Sequence, residues 1–260
     1  MYNSFFRYLS FNSKVYIVIL KVILKSNNGR FYKKITIIFL TLFLTLAYVL
    51  PYFSNSVLAN EETNDYQKLQ QEGILDNSIT ENHWTQFMQE SKLAEQSLES
   101  EPDGISVRSA FHLKPGDVLI SNATSSRGLT GHAAIAISNN DVLHIHSVGH
   151  HPSVHKFSWF KQRYSGKGKW LKIYRSKNTK AGAKAAAWAK RNYVGKKYNY
   201  GINTKLASKN PTYCSKIVYQ AYKYGVSKNS IFDPGSHIIA PYALPNISSN
   251  AYKLVRVKTY

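Results

Sequence analysis

Eleven of the fourteen carboxylate side chains in this 260-residue chain lie between Asn60 and Asp103, and that crowding divides the chain before any periodicity is considered. Residues 1–59 carry seven basic side chains and no acidic one, whereas residues 104–260 carry twenty-five basic side chains against three acidic ones. A folded domain therefore has to be sought mainly in the long basic part, with a basic leader and an acidic segment before it. At 43% hydrophobic and 18% charged residues the chain can build a packed core, and wholesale disorder is excluded. The length suits one domain with additions.

The leader reads as an export signal. Lys33-Lys34 precedes the uncharged apolar run Ile35–Leu50, and Val57-Leu58-Ala59 supplies small residues for cleavage after Ala59. The competing reading is a retained membrane anchor: the 16-residue run falls short of the roughly 20 residues a span requires, but Ile35–Phe53 could just reach it. The stretch before Lys33, with its own apolar patch Val15–Leu24, is long for a signal and reads as an extended start. The expected location is secreted or at the cell envelope, membrane-anchored if the signal stays uncleaved. The sole cysteine, Cys214, rules out an intramolecular disulfide and a lipid-bearing cysteine near the cut. In an oxidising compartment an unpaired thiol is a liability unless its chemistry is used.

Within the acidic segment, 60–104, the string Ser78-Ile79-Thr80-Glu81 offers a capping box. Beyond it Trp84, Phe87, Met88, Ser91, Ala94 and Leu98 fall on one stripe, which predicts a helix over Ile79–Leu98. Pro102-Asp103-Gly104 marks the boundary. Two readings stand for this helix: a solvated accessory element, or a segment folded back over the basic surface. From 105 to 260 the periodicity changes to short β runs at Asp117–Ser121, His132–Ser138, Val142–Val148, Val154–Phe157, Leu171–Tyr174 and Lys253–Lys258. Helices are predicted over Thr179–Tyr193 and Tyr213–Tyr224, the second stopped by Gly225. A small sheet with helices grouped to one side is an α+β class.

Cys214 falls in the first turn of the second of these helices, where the helix dipole and unpaired backbone N–H groups favour a thiolate and can hold an oxyanion. Ile217, Val218 and Ala221 share its side of the helix, so the thiol should face inward. A buried core cysteine is the bland alternative. A thiol nucleophile needs an imidazole to take its proton. His132 opens the alternating strand Gly131-His132-Ala133-Ala134-Ile135-Ala136-Ile137, and a tight turn at Ser138–Asp141 would fold that strand onto the next, which carries His144 and His146 on one face. Either could orient His132.

The Gly131–His144 string, with its second histidine twelve residues after the first, resembles the His-bearing hairpin of NlpC-type cell-wall peptidases. Tyr213-Cys214-Ser215-Lys216-Ile217-Val218 resembles their nucleophile helix. Here the histidine hairpin precedes the cysteine helix, the order of the permuted branch that holds the YiiX-like hydrolases and the lecithin retinol acyltransferase group. Leu113-Lys-Pro-Gly-Asp-Val-Leu119 and Tyr198-Asn-Tyr200-Gly201 are similar to further motifs of that branch. The resemblance covers roughly residues 111–225. It implies a permuted papain-like fold in which a small antiparallel half-barrel packs on the nucleophile helix, with Cys214 as nucleophile, His132 as base and His144 as the orienting third residue. Tyr198, and Tyr213 beside the nucleophile, would contact the substrate or its oxyanion. His146, beside His144, departs from the family pattern.

The run His144, His146, His150, His151, His155 also invites a metal reading, which the scarcity of carboxylates (Asp117, Asp141, Asp233) disfavours. No metal or cofactor is expected. Scattered Lys and Arg with abundant Tyr argue against nucleic acid and for anionic wall polymer or a membrane surface as a partner. Three functions follow: a cysteine amidase or peptidase acting on cell-wall peptides such as those of peptidoglycan; an acyltransferase or lipid ester and amide hydrolase using the same residues; and an idle wall-binding module, which the intact Cys/His pair argues against.

Overall fold

The computed structural model describes residues 65–100, 111–123 and 131–260. The export-signal reading and the Pro102-Asp103-Gly104 boundary lie outside these residues. Residues Glu62–Tyr260 form one compact unit. The elements in chain order are α1 (Glu81–Glu99), β1 (Val118–Ser121), β2 (His132–Ala136), β3 (Asp141–His144), β4 (Ser153–Lys156), α2 (Phe157–Tyr164), β5 (Leu171–Ser176), α3 (Ala181–Tyr193), α4 (Cys214–Gly225) and β6 (Leu254–Thr259). A helical segment at 65–71 precedes them. The class is α+β.

The six strands form one open antiparallel sheet in the order β4-β3-β2-β1-β5-β6. Alternation along the strands sends side chains to two cores. Val118, Ile120, Ala133, Ile135 and Leu143 face the larger one, which α1, α3 and α4 complete. Leu119, Ala134, Ala136, Val142 and Ile173 face a smaller one closed by Phe160 and Tyr164 of α2. The β2–β3 turn is the predicted tight one, where the Ser138 hydroxyl accepts from the Asp141 N–H at 2.9 Å and donates to the Asp141 carboxylate at 2.8 Å.

The stretch Leu113–Leu119 earns its glycine. Gly116 adopts φ +87°, and a Cβ there would lie 2.1 Å from the Gly182 Cα of α3. Its carbonyl accepts from the Tyr222 hydroxyl of α4 at 2.7 Å. The next residue, Asp117, is fully buried and takes a two-pronged bond from Arg175 of β5 at 2.7 Å on each oxygen. One turn thus fastens β1 to both large helices and to the neighbouring strand.

Three sequence expectations need correcting. The α1 capping box runs from Thr80 to His83, not through Ser78 and Glu81: the Thr80 side chain accepts from the His83 N–H, and the His83 ring returns the bond to the Thr80 N–H. The β run expected over Val154–Phe157 stops at Lys156, and Phe157 begins α2, an element the strand reading overlooked. Likewise β3 ends at His144 rather than Val148, because its pairing with β4 ends at the His144–Ser153 pair.

The stripe on α1 is as predicted, with Trp84, Phe87, Ser91, Ala94 and Leu98 buried and Met88 packed at the margin. It enters the larger core alongside the residues of α4. Polar contacts fix it further. Glu90 accepts from the Ser236 hydroxyl at 2.6 Å and from the Ser236 N–H at 3.2 Å, and the ammonium of Lys172 on β5 donates to the Leu98 carbonyl.

Candidate active site

α4 is buried from Cys214 through Tyr222, polar residues included. Those polar groups deliver the cysteine. Lys216, its pKa lowered to about 8 by burial, donates to the Asn203 side-chain oxygen at 2.8 Å and to the Pro211 carbonyl at 3.3 Å. Gln220 donates to the Leu206 and Ser208 carbonyls at 2.6 and 2.9 Å and accepts from the Tyr193 hydroxyl at 2.6 Å. The loop 203–211 is therefore laced onto the helix it feeds, and the start of α4 is held from both sides.

Cys214 is the first residue of α4. The N-cap, Tyr213, makes no side-chain capping bond, so the first-turn N–H groups are not taken by a cap. The thiol is 7% exposed. It opens on a pocket whose apolar wall is Phe87, Ile202, Ile238, Ile239 and Pro241, completed by Gly131, Tyr200, Tyr213 and Ser215. Among the described residues no charged side chain lines it. The wall is clamped from α4: Ser215 donates to the Ile239 carbonyl at 2.5 Å, and the Tyr213 hydroxyl accepts from the Ile239 N–H at 3.0 Å. Gly131 adopts φ +62°, and a Cβ on it would lie 2.5 Å from the Tyr242 ring.

The two histidines meet. His132 Nε2 and His144 Nδ1 are 2.9 Å apart, and both residues are fully buried. Tyr164 stacks on the His132 ring at 4.6 Å and 8°, with Phe160 at 5.9 Å. His146 goes elsewhere: its Nδ1 lies 2.9 Å from the Tyr164 hydroxyl and its Nε2 3.4 Å from Arg163. The alternative that strand parity left open, His144 or His146 beside His132, is resolved by this contact in favour of His144.

The thiol and the histidine pair occupy the same end of β2. The N–H of Ala133, the residue after His132, donates to the Cys214 sulfur, and the charge of Cys214 reaches the Tyr164 phenol that stacks on His132. The His132 ring itself is not part of the pocket wall, to which its neighbour Gly131 contributes.

Electrostatically the site rests neutral. Burial pushes the Cys214 thiol up, against the pull of the N–H groups of Ala133, Ser215 and Cys214 itself. The helix-start argument anticipated a favoured thiolate; desolvation outweighs it. Burial, reinforced by the charges of His146 and Arg163, pushes His132 down to about 3. Burial also lowers His144 well below the imidazole range, with the neighbouring His132 next in effect.

Tyr198 does not line the pocket. Its ring meets Tyr193 edge-on at 5.7 Å, and its carbonyl lies 3.0 Å from His151 Nδ1. Tyr200, two residues on and bridged to Thr212, lines it instead. Tyr213 does line it, with its phenol pushed above the usual range by burial. Among the described residues no group of three or more His, Cys, Asp or Glu side chains converges as metal ligands would. Sequence reasoning missed Phe87, Tyr164, Tyr200 and the Ile238-Ile239 pair as site residues; Phe87 had a signal in its place on the α1 stripe, and Tyr200 in the Tyr198–Gly201 string.

An uncharacterized 30.3 kDa protein of Bacillus thuringiensis is 34% identical over 263 residues, covering 84% of this chain and 97% of the relative. No solved structure matches. The family described as lipoprotein N-acylation protein LnsA-like matches residues 83–260, a span that takes in most of α1 as well as the sheet, the histidine pair and Cys214. This chain belongs to the LnsA-like family of lipoprotein N-acylation proteins, and with it to enzymes of acyl transfer or hydrolysis.

Proposed function

We propose that this protein is an acyltransferase that carries a fatty acyl group on Cys214, taken from a lipid ester and passed to an amine. The observation that carries this reading is the pocket at the thiol, where Phe87, Ile202, Ile238, Ile239 and Pro241 make an apolar wall. A hydrocarbon chain gains from burial against such a wall, at about 0.8 kcal/mol per methylene. The carboxylates and amines of a cell-wall peptide meet no charged partner among the described lining residues. The family's description as N-acylation proteins supports an amine acceptor.

In the proposed reaction the Cys214 thiol attacks the ester carbonyl as its proton passes to His132. Nε2 of His132 is engaged by His144, so Nδ1 is the nitrogen that serves. N–H groups of the first turn of α4 hold the oxyanion. The C–O bond then breaks, the alcohol leaves with the proton from His132, and a thioester remains. An amine attacks the thioester carbonyl, His132 takes its proton, and the C–S bond breaks to give the amide and restore the thiol. Because both partners rest neutral, the proton moves during attack rather than before it. His144 holds the ring angle and tautomer of His132.

The histidine hairpin ahead of the cysteine helix supports a permuted papain-like reading of the fold. An exported chain with twenty-five basic side chains in residues 104–260 suits work at an anionic bilayer, where such an acyl donor resides.

The test is intact-mass analysis of the full-length protein after incubation with phospholipid vesicles. A hydroxylamine-sensitive acyl adduct is expected on the wild type, absent in Cys214→Ala, and discharged by an amine-bearing lipopeptide. Cleavage of muropeptides with no acyl adduct would instead establish the amidase reading.

A further inference from the structure

The helix that sequence treats as accessory is built into the pocket. Phe87, on the buried stripe of α1, is part of the same wall as Cys214, and it is 3% exposed. Trp84, one turn earlier and fully buried, backs it at a ring separation of 5.5 Å. One turn later Glu90 grips Ser236, two residues before Ile238 and Ile239 of the opposite wall. Lys172 fastens the end of the same helix at Leu98. The position of Phe87 is thus fixed at both ends of α1, and it stands in the wall that an acyl chain on Cys214 would meet.

Resting on the acyl-transfer reading above, we propose that Phe87 sets the length of acyl chain this enzyme accepts, with α1 acting as a fixed specificity wall. The physical argument is volume in a packed apolar slot. Burying a phenyl ring is equivalent to burying about two to four methylenes. One methylene too many or too few in such a slot shifts kcat/KM about tenfold or more. A wall residue on a rigid helix discriminates because it cannot yield; the same ring on a mobile loop would not.

The experiment presents the full-length wild type, Phe87→Leu and Phe87→Trp with vesicles whose phospholipids carry a graded series of acyl chains, and reads the mass of the adduct on Cys214. Phe87→Leu keeps an apolar side chain in the stripe and should move the preferred chain up by about two carbons or more; Phe87→Trp should move it down by a similar amount. Circular dichroism and the Cys214 alkylation yield confirm that each variant is folded. Acylation with an unchanged chain-length profile in both folded variants overturns the assignment of Phe87. Absence of any adduct in the wild type overturns the acyl-transfer reading itself, and this inference with it.

Discussion

The two halves of the reactive pair live in opposite surroundings. Cys214 opens on a pocket and is met by three backbone N–H groups, whereas His132 and His144 are sealed beneath Tyr164 and Phe160 and bonded to each other. On the thiol side, burial is opposed by dipoles fixed in the backbone. On the imidazole side the charges of His146 and Arg163 add to the effect of burial, and both rings are pushed toward the neutral form. Among the described residues His144 Nε2 has no hydrogen-bond partner. The contrast teaches where each side can be damaged: the thiol side tolerates polar change poorly at its backbone but is open to ligands, while the imidazole side depends on ring-to-ring packing.

The largest effect should come from His132. Replacing it with Ala removes the proton acceptor, and the rate of acyl-adduct formation should fall about 10²–10⁴-fold. Comparable rates for wild type and His132→Ala would break the pairing of the two sides. A smaller effect is expected at the next ring. His144→Ala should slow the reaction about 10-fold or more, and His146→Ala less, because His146 bonds Tyr164 rather than His132. Single-turnover acylation of the two variants ranks them; the reverse order would transfer the orienting role to His146.

The mildest test is of stability against pH. His132 is held at about 3 when folded, against 6.5 for an ordinary imidazole. Between those values the unfolded chain binds a proton that the folded chain does not, so stability rises with pH and is lost as pH falls below 6.5. The loss approaches roughly 1.4 kcal/mol per pH unit for one fully shifted site. Urea midpoints at pH 7 and pH 5 measure it, and His132→Asn should reduce the dependence, leaving the share of the likewise lowered His144. A flat wild-type profile would show that the imidazole side is not sealed.

Much of this side was legible because it is local. Alternation from Gly131 to Ile137 and a turn at Ser138–Asp141 define a hairpin, and a hairpin brings His132 beside the next strand, while strand parity alone leaves His144 and His146 equivalent. The stripe on α1 and the Gly225 stop of α4 were legible for the same reason. α2 was not: it is eight residues long, follows β4 without a loop, lacks a side-chain cap, and buries only Phe160 and Tyr164. The loop carrying Ile238, Ile239 and Pro241 has no period at all, so these three of the ten lining residues gave no signal. Nor could spacing weigh burial against the helix dipole at Cys214, since that balance depends on the core that surrounds it. Lys216 and Gln220 look like a wet face by composition, yet both are buried, because the loop 203–211 provides their partners.

The pocket is a long-range object in the chain. Its walls come from Phe87, Gly131, Tyr200, the start of α4 and residues 238–241, so no contiguous fragment contains it. During synthesis α1 emerges first and the 236–241 loop that it grips emerges among the last. Until then the nucleophile helix has no slot beside it, and the Trp84–Phe87 stripe has no partner. Assembly must wait for closure of the chain's most distant contacts, a slow step in folding. On the proposed acyl-transfer reading, a partly made chain would carry a thiol with nowhere to seat an acyl group, and loading would be confined to the finished protein.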